Sequence, residues 1–325
     1  MRAVTFAGPG DARLVERPRP HIEAPGDAIV LVTTAAIGHT DIARCANTGS
    51  ESAGIIPGAE FAGHIVEAGD AVTRFQINDL VFCLSSWTDV TGSGWILGRD
   101  IDGGHADYVR VPDADRVLVK TTAAAEERAL LAGGTLGLGA NATQIAEAEG
   151  RGGVVAVVGC DPLGTSALAF LQNTGAFSET VAVDSHPARL ALARRYGART
   201  VDARQQEARH CAVRADIVIV GALHDFPGSE WVTRLATPGG HIIFVEPDGQ
   251  ALWIDSGFPS LPSSTVRCAA WPTQDIAANL AMRTQLKKPD VAPFVSHVVP
   301  LDRAPAAYKQ AVQVAPGTLK VILKP

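Results

Sequence analysis

The sequence predicts an α/β protein of two domains, a β-rich one that opens the chain and a doubly wound parallel sheet that follows, with a short return to the first. Three observations carry this prediction. The 325 residues exceed what one typical core fills. Up to about residue 121, short β-branched runs alternate with Gly, Pro and Asp punctuation. Beyond it, apolar strands alternate with Ala-rich helical stretches, the pattern of a βαβ series.

In the first part, residues 28–36 (AIVLVTTAA), 63–68 and 80–83 read as strands, and 103–112 as a turn leading into another. Residues 123–131 and 139–149 read as helices. Residues 154–158 are apolar throughout, as a strand buried on both faces must be. Helix 163–174, strand 180–184, helix 187–196, strand 217–220, helix 229–235 and strand 241–245 continue the alternation. Residues 265–270 read as the last strand of that sheet and 274–285 as a helix. Residues 305–314 and 319–323 close the chain as helix and strand. The expected domains are 1–137 with 273–325, β-rich, and 138–272, the parallel sheet.

Composition narrows the function. Hydrophobic residues make up 46% and charged residues 19%, an ordinary globular balance. A net charge of −6 argues against nucleic acid or an anionic membrane as partner, leaving a small molecule. The cysteines Cys45, Cys83, Cys160, Cys211 and Cys268 are odd in number, scattered and without a CxxC pair. That spacing suggests neither a disulfide framework nor a zinc knuckle, but free thiols in a reducing compartment. No secretion signal and no run approaching about 20 apolar residues is read, so a cytoplasmic location is expected.

The chemistry concentrates where residues 154–158 run into Gly159-Cys160-Asp161-Pro162-Leu163-Gly164 and a helix opens. This is the strand–GxGxxG–helix context in which backbone N–H groups and the helix dipole face a pyrophosphate. Gly159 makes the tight turn and Gly164 allows close helix–strand packing, but Asp161 replaces the middle glycine. A carboxylate beside a pyrophosphate costs electrostatic energy unless it turns away or is neutralised. Asp184 ends the next strand about 20 residues beyond Gly164, where an acidic residue accepts from the adenosine ribose. It favours NAD(H) over NADP(H), a preference that Arg189 weakens. Gly221, after strand 217–220, completes the candidate cofactor set of Gly159, Asp161, Pro162, Leu163, Gly164, Asp184, Arg189 and Gly221. The competing reading makes Asp184 a cap for the following helix, with Pro187 in its first turn.

Several motifs together carry a family resemblance. MRAVTFAGPGDARLVERPRP, Ala36-Ile37-Gly38-His39-Thr40-Asp41, Pro57-Gly58-Ala59-Glu60-Phe61-Ala62-Gly63, Asn78-Asp79-Leu80-Val81 and Gly103-Gly104-His105-Ala106-Asp107-Tyr108 occur in that order. Over essentially its whole length the chain resembles the medium-chain dehydrogenase/reductase superfamily, its zinc alcohol dehydrogenase branch in particular. The resemblance implies a GroES-like catalytic domain, a Rossmann dinucleotide-binding domain and NAD(P)-dependent redox chemistry. It also implies a homodimer paired through the strand near Val266–Ala270, since an apolar edge strand needs covering.

The departures point away from zinc. The family's first cysteine position is Gly38, its histidine position is Ala59 and its third ligand falls at Ala132. None offers a lone pair, and Glu60 alone holds no metal against water. The cysteine-rich lobe for structural zinc is replaced by residues 84–102, which contain no cysteine or histidine. His39, His64 and His105 are the other ligands in principle, each read as a hydrogen-bonded histidine instead. The resemblance makes Thr40 the hydroxyl of a proton relay, with His39 beside it to bind phosphate or deliver a proton, and Asp41 and Glu60 as acid–base candidates or packing residues. Ser85, Trp87, Asp89, Trp95 and Arg99 suggest either an apolar pocket for an aromatic substrate or a surface loop. The expected activity is a zinc-independent NAD(P)(H)-dependent reduction of a carbonyl or activated C=C bond. The alternatives are a non-redox cyclisation, isomerisation or elimination on the same scaffold, and a non-catalytic nucleotide-binding accessory protein.

Overall fold

A computed structural model describes residues 1–47, 54–88, 93–150, 152–205, 213–221, 228–245, 264–274, 277, 292–312 and 319–325. Asp89, Cys211, the side chain of His39 and most of the helix expected over 274–285 lie outside the described residues. The chain forms two compact units, Met1–Gly134 with Pro272–Lys287 and Phe294–Pro325, and Thr135–Trp271 with Lys288–Pro293. Among the described residues no helix is long and apolar enough to cross a membrane.

In chain order, the first unit begins with β1 (Arg2–Gly8), β2 (Asp11–Glu16), β3 (Ala28–Ile37), α1 (His39–Ala46), β4 (Glu60–Ala68), β5 (Leu80–Cys83), β6 (Ser86–Thr88) and β7 (Gly94–Ile96). It continues with β8 (Tyr108–Val111), α2 (Ala114–Val117), β9 (Leu118–Lys120) and α3 (Glu126–Ala132). The second unit holds α4 (Thr135–Glu149), β10 (Val154–Val158), α5 (Pro162–Leu171), β11 (Glu179–Asp184), α6 (Pro187–Arg195), β12 (Arg199–Asp202), β13 (Ala215–Val220), α7 (Gly228–Leu235), β14 (Ala236–Phe244) and β15 (Thr265–Cys268). The return segment adds β16 (Val295–Pro300), α8 (Ala304–Val312) and β17 (Lys320–Lys324) to the first.

The main sheet of the first unit runs β16-β17-β3-β4-β5-β9, with β8 also pairing β3. β3 is its organising strand. Only two of its ten residues escape burial, because both neighbours and both faces cover it. β4 and β17 lie antiparallel on either side of it, with Ala36 opposite both Glu60 and Ile322. The starts of β4 and β17 are thereby brought to the C-terminal end of β3, where Gly38 follows. The segment 84–102, expected to be pocket or loop, folds as the β6–β7 hairpin with Trp87 opposite Trp95. Arg116 lies over the Trp87 ring at 5.8 Å.

A buried histidine pins the loop before β4. Gly58 has φ +107, and a Cβ there would stand 2.5 Å from the His105 ring. Gly104 and His105 donate their N–H groups to the Gly58 and Pro57 carbonyls. His105 Nδ1 lies 2.8 Å from the Tyr308 hydroxyl and Nε2 lies 3.1 Å from the Ala36 carbonyl. A neutral ring serves both, accepting from Tyr308 and donating to Ala36. Burial holds the pKa of His105 below the ordinary histidine value. The folded state thus resists a proton that the unfolded chain takes up near pH 6.5, and stability falls as pH drops below that value. The expected loss is up to about 1.4 kcal/mol per pH unit from this ring. Urea midpoints measured from pH 7 to pH 5 check it: the His105→Gln variant should show a shallower slope, and an unchanged slope would clear His105 of the effect.

The second unit is a six-stranded sheet in the order β12-β11-β10-β13-β14-β15, parallel throughout. This is the doubly wound order with a switch point between β10 and β13, beside which ligands bind at the strands' carboxyl ends. Val158, Val183, Val220, Ile242 and Phe244 share its core with Trp231 of α7. α5 ends at Leu171, not Thr174, and the expected last strand 265–270 shortens to β15. Strands β12 and β16 were not foreseen. β12 (RTVD) is short and polar, and β16 has a mostly part-exposed pattern. Neither carries the apolar alternation on which a strand is read.

Candidate active site

The end of β3 gathers a group of polar side chains inside the first unit. Gly38 caps α1, and Asp41 at the third helical position reaches back to it, its Oδ2 accepting the Gly38 N–H at 2.9 Å. Its Oδ1 accepts the Gly58 N–H at 3.0 Å. Asp41 is 4% exposed, so this carboxylate clamps the start of α1 to the loop before β4. That is the packing role weighed for it, and it leaves the acid–base reading of Asp41 without a geometric basis. Thr40, next on the helix, is half-buried.

Glu60 has a partner that sequence reading missed. The Lys320 ammonium meets Glu60 Oε2 at 2.5 Å, with side-chain exposures of 2% and 5%. The ammonium also stands where a side chain on Gly38 would go, since a Cβ at Gly38 would lie 2.7 Å from Lys320 Nζ. On the other side, a Cβ at Gly134 would lie 2.6 Å from both Glu60 Oε1 and Ser85 Oγ. Ser85 is 1% exposed, and its hydroxyl has no hydrogen-bond partner. Ala132 is buried. His64 Nδ1 lies 3.0 Å from the Asn78 carbonyl at an exposed position, and His105 is spent on Tyr308 and Ala36. Among the described residues no group of three or more His, Cys, Asp or Glu side chains is placed to hold a metal ion.

The phosphate loop lies in the second unit. Gly159 turns with φ +84, and Asp161 caps α5, its Oδ1 accepting the Gly164 N–H at 3.0 Å with Pro162 next in line. The Asp161 side chain is turned inward, 4% exposed. A Cβ on Gly221 would stand 2.6 Å from its Oδ1. Leu163 is buried. Asp184 is fully buried at the end of β11, and Oδ2 accepts the Cys160 N–H at 2.7 Å, tying the second strand to the loop. Its Oδ1 accepts the His186 N–H at 2.7 Å, and Arg189 lies 3.7 Å from Oδ2. The cap of α6 is His186, not Asp184. Burial and the carboxylates of Asp184 and Asp161 push the Cys160 thiol well above its ordinary range, so it is no nucleophile.

Residues 24–123 match the alcohol dehydrogenase GroES-like domain. A zinc-type alcohol dehydrogenase B of Aspergillus flavus is 32% identical over 224 residues, which cover 61% of this chain and 50% of that one. A medium chain reductase/dehydrogenase of Acremonium sp is 31% identical over 62% of this chain and 76% of that one. The chain belongs to the medium-chain dehydrogenase/reductase superfamily. A superfamily member of similar length, an alcohol dehydrogenase of Cupriavidus necator, is 27% identical over 100% of this chain and 99% of its own. Alcohol dehydrogenase TADH from Thermus sp. ATN1 superposes with a TM-score of 0.81 at 25% identity, covering 100% of this chain and 99% of that one. Within this superfamily fold, Gly38, Glu60 and Lys320 meet because β4 and β17 flank β3. The one signal in the sequence was a lysine at an inward position of an otherwise apolar strand, KVILK.

Proposed function

We propose that this superfamily member is an NAD(P)(H)-dependent oxidoreductase that works without zinc, reducing a carbonyl or activated C=C bond of a small, apolar or aromatic substrate. The observation that carries the zinc-free reading is the Lys320 ammonium at the vacant side of Gly38. A cation is a poor neighbour for a second cation, and Gly38, Ala59 and Ala132 supply no donor. A catalytic zinc does not fit this set.

A dinucleotide fits the loop of the second unit. When bound, it supplies the hydride. Gly159 makes the turn toward it, and Asp161 spends its charge inward on the Gly164 N–H, so the carboxylate is partly neutralised rather than aimed outward. Asp184 offers carboxylate oxygens for ribose hydroxyls and disfavours the additional phosphate of NADP. Thr40, half-buried on α1, is the hydroxyl available for proton relay in the first unit. The open end of the sheet at β15 supports pairing of two copies through that strand, a homodimer that sedimentation would reveal.

Calorimetric titration of metal-free protein with NAD(H) and NADP(H), beside elemental analysis, tests the reading. Micromolar binding and no stoichiometric zinc are expected; about one zinc per chain would overturn the zinc-free account. The Asp184→Ala variant should weaken NAD(H) by about tenfold or more and narrow its advantage over NADP(H). An equal loss for both would mean that Asp184 acts only by holding Cys160. One observation favours the non-redox or accessory readings: Asp161 occupies with its own carboxylate an N–H of the helix end that receives phosphate. Absence of binding by all four nucleotides would select them.

A further inference from the structure

Lys320 is a buried cation with unspent hydrogen-bonding capacity. An ammonium carries three N–H donors. Glu60 Oε2 takes one, and among the described residues the ammonium has no second hydrogen-bond partner. Burying an ion pair costs more desolvation than mutual attraction returns unless the remaining donors are also used. Here they border the space left by the missing side chain of Gly38. A second buried donor stands close by. The unpartnered Ser85 hydroxyl flanks the opposite oxygen of the same carboxylate, across the missing side chain of Gly134. Two donors kept dry and unspent around one carboxylate form an acceptor site rather than a structural ion pair.

We propose that Lys320 and Ser85 form the oxygen-binding site of the substrate, with the ammonium supplying at the end of β3 the positive charge that a metal would bring. The ligand class is a carbonyl-type oxygen, which gathers negative charge as the substrate is reduced. Glu60 is then a positioning residue: it fixes the ammonium and keeps its charge in place. Gly38 is required because any side chain there would displace Nζ. This inference rests on the reductase reading above, but its test does not need turnover.

The probe is benzamide, a neutral, unreactive aromatic carbonyl that Glu60 does not repel, titrated calorimetrically into the full chain. Wild type should bind it. Lys320→Met should weaken binding by about tenfold or more, and Ser85→Ala by about threefold. Because Lys320→Met strands a buried carboxylate, the charge-neutral pair Glu60→Gln with Lys320→Met serves as the folded control and should show the same loss. Failure of wild type to bind benzamide, or equal binding by the neutral pair, would overturn the proposal. A parallel titration with inorganic pyrophosphate separates the other use of a lysine. If pyrophosphate alone loses affinity in the neutral pair, Lys320 serves a cofactor phosphate and the proposal fails. Dinucleotide binding without benzamide binding removes this site and leaves the reductase reading standing; the reverse result does the opposite.

Discussion

Replacing Lys320 by Met is expected to destabilise the first unit by about 3–5 kcal/mol, because it leaves the Glu60 carboxylate buried without its counter-charge. Glu60 is 4% exposed, so water does not reach it to compensate. The magnitude comes from the stranded charge, not from the attraction in the pair. Glu60→Gln combined with Lys320→Met should therefore recover most of the loss, since both charges go together. Urea unfolding of wild type, both single variants and the double variant gives the full cycle. Single-variant losses under about 1 kcal/mol would mean that the pair is solvated like a surface ion pair, contrary to its burial.

Gly164→Ala should cost the second unit about 1–3 kcal/mol or more and weaken dinucleotide binding with it. A Cβ at this position would stand 1.8 Å from the Gly159 carbonyl oxygen and 3.3 Å from Val157 Cγ1. Backbone and a packed strand residue cannot yield as the tip of a flexible side chain can. α5 must then move away from β10, carrying the Asp161 cap and the loop with it. Gly8→Ala is the comparison, since nothing lies within 4 Å of a Cβ there. Thermal melts of the two variants should separate clearly; matching melting temperatures would mean that the helix end accommodates the methyl group without moving.

Much of this molecule is written locally. The apolar run of β10, the glycine turn at Gly159 and the Asp at the end of β11 need only near neighbours to be recognised, because a strand buried on both faces and a helix opening on a glycine loop leave short periodic marks. The same holds for Gly38, Ala59 and Ala132, where a missing ligand is visible as a missing side chain. β12 and β16 escaped because their pairing in the sheet, not an apolar pattern, makes them strands.

The roles of the polar residues were decided by tertiary structure. Asp41 could be acid, base or clamp until the Gly38 and Gly58 N–H groups were found on its oxygens. Asp161 could repel a phosphate or turn away until its bond to the Gly164 N–H set its direction. Lys320 and Glu60 are 260 residues apart, and nothing local links them. They meet because β3 holds β4 on one side and β17 on the other, in registers that bring both strand starts to the same end. Local periodicity records which face of an element is apolar, whereas a charge pair records only where two elements cross; the sequence by itself determined the two-domain fold and the vacant ligand positions, and the register of β3 decided which charge stands beside them.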